Sequence, residues 1–514
     1  GVYVERDVQI AIHYLEIAAN QNSKEAQFTL GTILYDENIR KSINYLTLSA
    51  NQNCAYAQFN LGVIFFEGLK VPRDINKSIY YFTCAANQNV VFAQFNLGFI
   101  YGSDQFIQRD INKSISYYSK AAKQNFAKAQ YNLGCIYLYG QYNPKDIDRS
   151  IHYFTLAADQ NMPEAQCNLG YIYYFSEFKH KDINKAIHLF SQSANQGFAP
   201  AMYYLGYIYF QFKLYNKAIY FYSRAAEKND DASKLVLGCI YYNGNIVQKD
   251  MKKALKYFTE SADQHNPNAQ ICLGILYYNG VHVQRNINKS IHYFSFLADK
   301  NKHAQYFLGY IYYEGIQIEQ NIEKSIHYYK ESSSLNNYYS KNNLAIIYKH
   351  GFGVEKNIKY AEELLTEAHR INSNEISIYN LAHLYLFENI ENYLDKCIDF
   401  LFKQPIGKLS LVLLCLAFVK KYHQITLNTI SNEMKNHTNM IDDIQPEFIF
   451  EEIKRRKLMN YECYVSLYNY TRDIDFMFNF DHHFIISFYN TPNSCKNNIK
   501  LDIENDFYDG FGIN

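Results

Sequence analysis

The chain has 514 residues, with 50 basic and 50 acidic side chains, no Trp, 51 Tyr and 36 Phe. Zero net charge excludes the broad basic field that nucleic acid or an anionic lipid surface would attract. The longest apolar run, Leu409–Val419, is too short to cross about 30 Å of hydrocarbon.

A block of about thirty-six residues repeats along most of the chain. Its marker is the Gly of an A-Q-x-x-L-G signature, found at Gly31, Gly62, Gly98, Gly134, Gly170, Gly206, Gly238, Gly274 and Gly309. Ala345 and Ala382 hold the same slot in the next two blocks. A fixed period of this size signals stacked supersecondary units, none able to bury its own apolar face alone.

The chain opens at Gly1–Asp7 in what reads as the loop before a second helix, so the first unit is expected to be truncated and the sequence to be part of a longer one. In the unit around Gly134, Ala129, Leu133 and Ile136-Tyr137 recur at helical spacing. Six residues after the marker a second Gly follows, at Gly68, Gly140, Gly244, Gly280, Gly315 and Gly351, and predicts a left-handed helix stop. Asp74, Asp110, Asp146, Asp182 and Asp250, then Asn286, Asn321 and Asn357, predict the N-cap of a second helix. That helix carries small pairs such as Ala85-Ala86 and Ala121-Ala122, which with the marker Gly predict a close approach of two helices. Pro163, Pro200 and Pro267 mark the first turn of a following helix. After Gly31 and Gly206 the second helix starts early, at Lys41 and Lys217, so the missing residues come from the loop.

The set A-x-x-x-L-G-x-x-Y-x-x-G, V-x-x-D and K-[AS]-I-x-Y-[FY]-x-x-[AS]-A resembles the Sel-1-like repeat, a branch of the tetratricopeptide superfamily. Val71–Ala86 and Val247–Ala262 show its second half. The resemblance covers roughly residues 1 to 400 and implies an all-α, right-handed superhelix of stacked antiparallel helix pairs, about eleven in number. Asn replaces most of the Gly that closes each unit in the family, Gly197 excepted; Asn also tolerates left-handed geometry. The expected layout is a solenoid over 1–390, a degenerate repeat or helical cap over 391–440, and a helical to irregular tail over 441–514. Glu451-Glu452 followed by Lys454–Lys457 suits a helix from Phe448 to Asn460. Residues 461–514 are aromatic and aperiodic, ending Asp506-Phe507-Tyr508-Asp509-Gly510-Phe511-Gly512.

No phosphate loop, nucleophile elbow or His-Glu-x-x-His pattern appears, and no cofactor or metal is expected. His152, His188, His292 and His327 share one register, but equivalent positions in stacked units stand roughly 10 Å apart, so an exposed helix position is expected. His482-His483 is an isolated pair. The ten cysteines fall in unrelated registers, which predicts reduced thiols. The sequons at Asn76, Asn112 and Asn288 are one cap sequence copied.

The face of the first helix opposite its core stripe holds the positions three before, one after and four after the marker Gly. These are Phe59, Val63 and Phe66; Phe95 and Phe99; Tyr131, Cys135 and Leu138; Cys167, Tyr171 and Tyr174; Tyr203, Tyr207 and Phe210. The resemblance implies that first helices line the inner surface. Two readings stay open for the rings: gripping a partner segment, or packing between units. Asn60, Asn96, Asn132 and Asn168 form a second ladder, open to bonding between units or to clamping a peptide backbone.

The expectation is a non-enzymatic cytoplasmic scaffold that binds a protein or peptide along this face, without nucleic acid and without a membrane span. The resemblance also implies an alternative, an endoplasmic-reticulum adaptor or substrate receptor of a ubiquitin ligase. A second alternative is the regulatory repeat region of a larger signalling protein such as a kinase. The oligomeric state is not read from the sequence.

Overall fold

The computed structural model describes residues 8–140, 146–176, 180–280, 283–373 and 375–387, with residues 393, 396, 397 and 400 beyond them. Leu409–Val419, Phe448–Asn460, the His482-His483 pair and the tail over 441–514 lie outside the described residues.

Among the described residues there are 22 helices and no strand. The chain forms two compact units, one up to Leu237 and one from Gly238, with the division inside a helix. The first holds α1 (Val8–Asn20), α2 (Lys24–Ile33), α3 (Ile39–Asn51), α4 (Ala55–Glu67), α5 (Ile75–Asn87), α6 (Val91–Gly102) and α7 (Ile111–Lys123). It continues with α8 (Ala127–Tyr139), α9 (Ile147–Ala158), α10 (Pro163–Phe175), α11 (Ile183–Asn195), α12 (Ala199–Gln211) and α13 (Tyr215–Glu227). The division falls in α14 (Asp231–Asn243). The second unit holds α15 (Met251–Ala262), α16 (Pro267–Asn279), α17 (Ile287–Ser295), α18 (Lys302–Glu314), α19 (Ile322–Ser334), α20 (Tyr338–His350), α21 (Ile358–Ile371) and α22 (Glu375–Phe387).

Even-numbered helices are the first and odd-numbered helices the second of each pair, from α2–α3 to α20–α21. Hydrogen bonds at both ends show that the pairs are antiparallel. Near the loop, Ser42, Ser78, Ser114, Ser150 and Ser290 donate their hydroxyls to the carbonyls of Gly31, Gly62, Gly98, Gly134 and Gly274. At the open end Ser193 donates to Pro163 O at 2.7 Å and Ser332 to Lys302 O at 2.6 Å. First helices also meet the next first helix, as α4 meets α6 and α10 meets α12. The even-numbered helices therefore touch one another along each stack.

The marker Gly does more than allow two backbones to approach. It seats an aromatic ring of the second helix: a Cβ on Gly62 would stand 2.5 Å from Phe82 Cδ1, and one on Gly134 2.6 Å from Phe154 Cδ1. Tyr118, Phe190, Tyr222, Phe258, Phe294 and Tyr329 fill the same seat in other units, and Leu46 fills it against Gly31. Where Ala345 replaces Gly, the residue in the ring register is Leu365, and both are fully buried. The seat and its occupant are matched in volume.

The caps form as the spacing predicts. Asp110 accepts from Lys113 N at 3.0 Å and its own amide donates to Tyr101 O at 2.8 Å, which closes the loop. Asp74, Asp146, Asp182, Asp250, Asn286, Asn321 and Asn357 cap in the same manner. Gly68 ends α4 with φ +66°, and Asn53 closes the preceding unit with φ 60°.

One network was not anticipated from the signature. The Gln of A-Q is buried and donates to a carbonyl eight residues back, as Gln58 does to Ala50 O at 3.2 Å. It then accepts from a Gln at the C-terminal end of the second helix: Gln88 to Gln58, Gln124 to Gln94, Gln160 to Gln130 and Gln196 to Gln166, at 2.7–2.8 Å. These bonds fix the end of those four pairs opposite the Gly seat.

Candidate protein-interaction face

The first helices are apolar on nearly every side, because each lies between its own second helix and its neighbours in the stack. The ten ring and aliphatic positions assigned to a binding face therefore divide. Val63, Phe95, Tyr131 and Tyr203 are buried. Phe95 packs against Tyr118 and Phe126, Tyr131 against Phe154, and Tyr203 against Tyr222. Phe66, Cys135, Leu138 and Cys167 are buried as well. Phe59, Phe99, Tyr171, Tyr174, Tyr207 and Phe210 keep part of their surface exposed.

The exposed set is not spread evenly. Phe99 lies with Phe66 and Phe106, ring centres 5.0–6.2 Å apart. The larger group sits on α10 and α12. Tyr171 meets Phe175 at 4.6 Å and Tyr204 at 5.7 Å, Tyr174 meets Phe175 at 4.7 Å, and Tyr207 meets Tyr174 at 6.1 Å and Phe175 at 5.9 Å. Phe210 meets Tyr215, which the shortened loop brings in. Offset and edge-on pairs of this kind leave ring faces and hydroxyls at the surface.

Phe175, Tyr204, Tyr215 and Phe106 were missed by the spacing argument. Tyr204 had a sequence signal: it stands where Asn60, Asn96, Asn132 and Asn168 stand in the preceding units. It stacks on Phe190 and supports both Tyr171 and Phe175. The Asn ladder itself bonds within the array. Asn168 donates to the Tyr131 hydroxyl at 3.3 Å across two units, and Asn132 bonds the Tyr118 hydroxyl.

Electrostatically this face is bare. Helices α6 and α12 carry no ionisable acid or base other than tyrosine, α8 only Lys128 and α10 only Glu164. On the second helices His152, His188, His292 and His327 are exposed. Among the described residues no group of three or more His, Cys, Asp or Glu could hold a metal ion. Cys54, Cys84, Cys135, Cys167, Cys239, Cys272 and Cys397 are thiols rather than disulfides. No helix among the described residues is long and apolar enough to cross a membrane.

The Sel1 repeat family matches eleven segments: 1–23, 25–54, 55–90, 91–126, 127–162, 163–198, 199–230, 233–266, 267–302, 302–337 and 339–368. The chain belongs to the Sel1 repeat family. No curated protein matches the chain. A solved relative is the protective antigen of uropathogenic Escherichia coli strains that displays an SLR fold: 20% identity, 86% of this chain and 97% of that one, TM-score 0.54. A Sel1 repeat protein from Oxalobacter formigenes is 27% identical over 46% of this chain and 98% of its own, with a TM-score of 0.40. From 25–54 onward the Sel1 segments coincide with the helix pairs, and most of them carry one Gly seat and one side-chain cap.

Proposed function

We propose that this Sel1-repeat chain is a non-enzymatic scaffold that holds a protein or peptide segment against the first-helix face of its first compact unit. The observation that carries this reading is the partly exposed aromatic group of Tyr171, Tyr174, Phe175, Tyr207 and Phe210 on helices without compensating charge. Solenoids present such faces as extended binding surfaces, and aromatic rings dominate hot spots. The scatter of cysteines over unrelated registers supports a cytosolic setting.

The test replaces Tyr171, Tyr174 and Tyr207 with Ala and compares partner capture from cell extract with wild type. A control replaces Tyr80 and Tyr220, exposed rings of second helices. Each first-helix ring that is a hot spot is worth more than about 1 kcal/mol of binding. Loss of capture by the first variant alone, with the unfolding midpoint retained, supports the reading. Equal capture by both variants removes these rings from the site.

A further inference from the structure

Successive first helices touch at a fixed pair of registers, the residue after one marker and the residue two before the next. Tyr171 and Tyr204 meet there with ring centres 5.7 Å apart. In the second compact unit the same step, from α14 to α16, sets Cys239 against Cys272. The two thiols share a hydrogen bond. No other step along the chain places Cys against Cys in these registers. Both residues are buried, and Tyr242, one turn further along α14, is buried close to both.

Packing alone does not call for this pair, since Ile275 and Phe307 hold the same registers at the next step. What two facing thiols can do, and apolar side chains cannot, is lose two hydrogens. A disulfide closes without backbone movement only between side chains that already face each other, and the hydrogen bond places these two in contact. That hydrogen bond with Cys239, together with burial, pushes the Cys272 thiol up. Cys272 therefore keeps its proton, and Cys239 is the sulfur that meets an oxidant first.

We propose that Cys239 and Cys272 are a peroxide-sensitive dithiol whose disulfide staples the first helices of two successive repeats. The Cys239 sulfur attacks one oxygen of hydrogen peroxide, the O–O bond breaks, and the departing hydroxide leaves as water with the thiol proton. The Cys272 sulfur then attacks the sulfenic sulfur of Cys239. The S–O bond breaks, a second water leaves with the Cys272 proton, and the S–S bond forms. Two electrons from the two thiols have reduced one peroxide to two waters. A dithiol reverses the bond by exchange. Burial admits peroxide only when the packing opens, so the pair oxidises slowly. The bond closes a loop of about thirty residues. It also ties α14 to a helix whose Gln270 side-chain carbonyl has no hydrogen-bond partner.

The full chain, reduced and freed of reductant, is incubated with hydrogen peroxide, blocked with N-ethylmaleimide in denaturant and digested for mass mapping. The expected product joins the peptides of Cys239 and Cys272, two hydrogens lighter than their sum, and disappears on treatment with dithiothreitol. Amides of α16 are expected to exchange at least tenfold more slowly in the oxidised chain, and Cys239→Ser or Cys272→Ser to abolish that slowing. In Cys272→Ser, dimedone is expected to trap a sulfenic acid on Cys239. The wild-type mass map decides the bond even where a serine variant fails to fold. Thiols that stay unreacted, sulfinic or sulfonic acid without a bridge, a bridge to any other cysteine, or unchanged α16 exchange in the bridged chain would overturn the proposal. None of these readouts involves Tyr171, Tyr174 or Tyr207, so the scaffold reading stands or falls separately.

Discussion

In the first compact unit, Gln88, Gln124, Gln160 and Gln196 each reach the buried Gln of their own repeat. In the second, Lys300 and Leu335 stand in the bridging register, and the side-chain carbonyls of Gln270 and Gln305 are buried without a hydrogen-bond partner. Other slots there change chemistry altogether: Lys341 replaces the Gln and pairs with Glu367 at 2.6 Å, while Lys349 bonds His383 at 3.0 Å in a buried site. The helix pairs form in both units. Pairing therefore does not require the Gln bridge, nor a side-chain cap, since α12 and α13 pair although Leu214 makes no side-chain cap bond; the bridge adds stability that individual repeats can forgo. An orphaned buried acceptor costs about 1–3 kcal/mol, so the second unit is the place to look for local opening.

The largest expected effect tests the element both units share. Gly134→Ala places a methyl 2.6 Å from Phe154 Cδ1, and overpacking of this kind costs about 2–3 kcal/mol. Phe154→Leu alone opens a void and costs about 1–2 kcal/mol. The double variant recreates the Ala345 and Leu365 pairing and is expected to recover at least about 1 kcal/mol relative to the sum. Denaturant unfolding of the four proteins measures this coupling. Strictly additive losses would mean that Gly and ring are not one packing unit.

Much of this fold is legible from local rules. The marker Gly, the Asp110-type caps and the left-handed Asn53 each require one residue type at one place, so the sequence shows them directly. The second-helix histidines are exposed for the same reason, being on the face away from their own pair. The binding face is harder to read. Phe95 and Tyr131 pack on Tyr118 and Phe154 of their own second helices, and the next repeat completes the cluster around each; the periodicity of the first helix alone carries no information about either neighbour. The Gln bridge was visible as letters, A-Q and Gln-Asn, yet its meaning depends on residues thirty apart in sequence facing each other. The α10–α12 aromatic group was marked by a break, Tyr204 in an Asn register, and by the shortened loop that delivers Tyr215.

A second comparison of the two units uses pH. Burial, with Lys302 beside it, lowers the pKa of His303 from 6.5 to about 4. The unfolded state therefore takes up the proton first as pH falls. Stability from this group is full above about pH 6.5 and declines to a floor near pH 4, a loss of about 3 kcal/mol. His303→Gln should flatten that slope. The readout is hydrogen exchange of α18 amides at several pH values, in wild type and variant. Identical pH slopes for the two would show that His303 is not the responsible group.

The smallest effect expected is a gain. Leu335 caps α19 with φ −87° and ψ 20°, close to the −95° and 19° of Gln88, and it is exposed. Leu335→Gln therefore puts an amide in the backbone geometry from which Gln88 reaches Gln58, and the orphaned carbonyl of Gln305 is the matching acceptor. The exchange gives up little apolar burial and supplies one bond to a buried group, so a gain of about 1 kcal/mol is expected. The mirror change in the first unit, Gln160→Leu, removes a 2.7 Å bond to Gln130 and should lose a similar amount. Unfolding midpoints of the two variants, measured side by side, decide the matter. If Leu335→Gln gains nothing while Gln160→Leu loses stability, the second unit already satisfies Gln305 by another route, and its softness must be sought in the Lys349 and His383 pair instead.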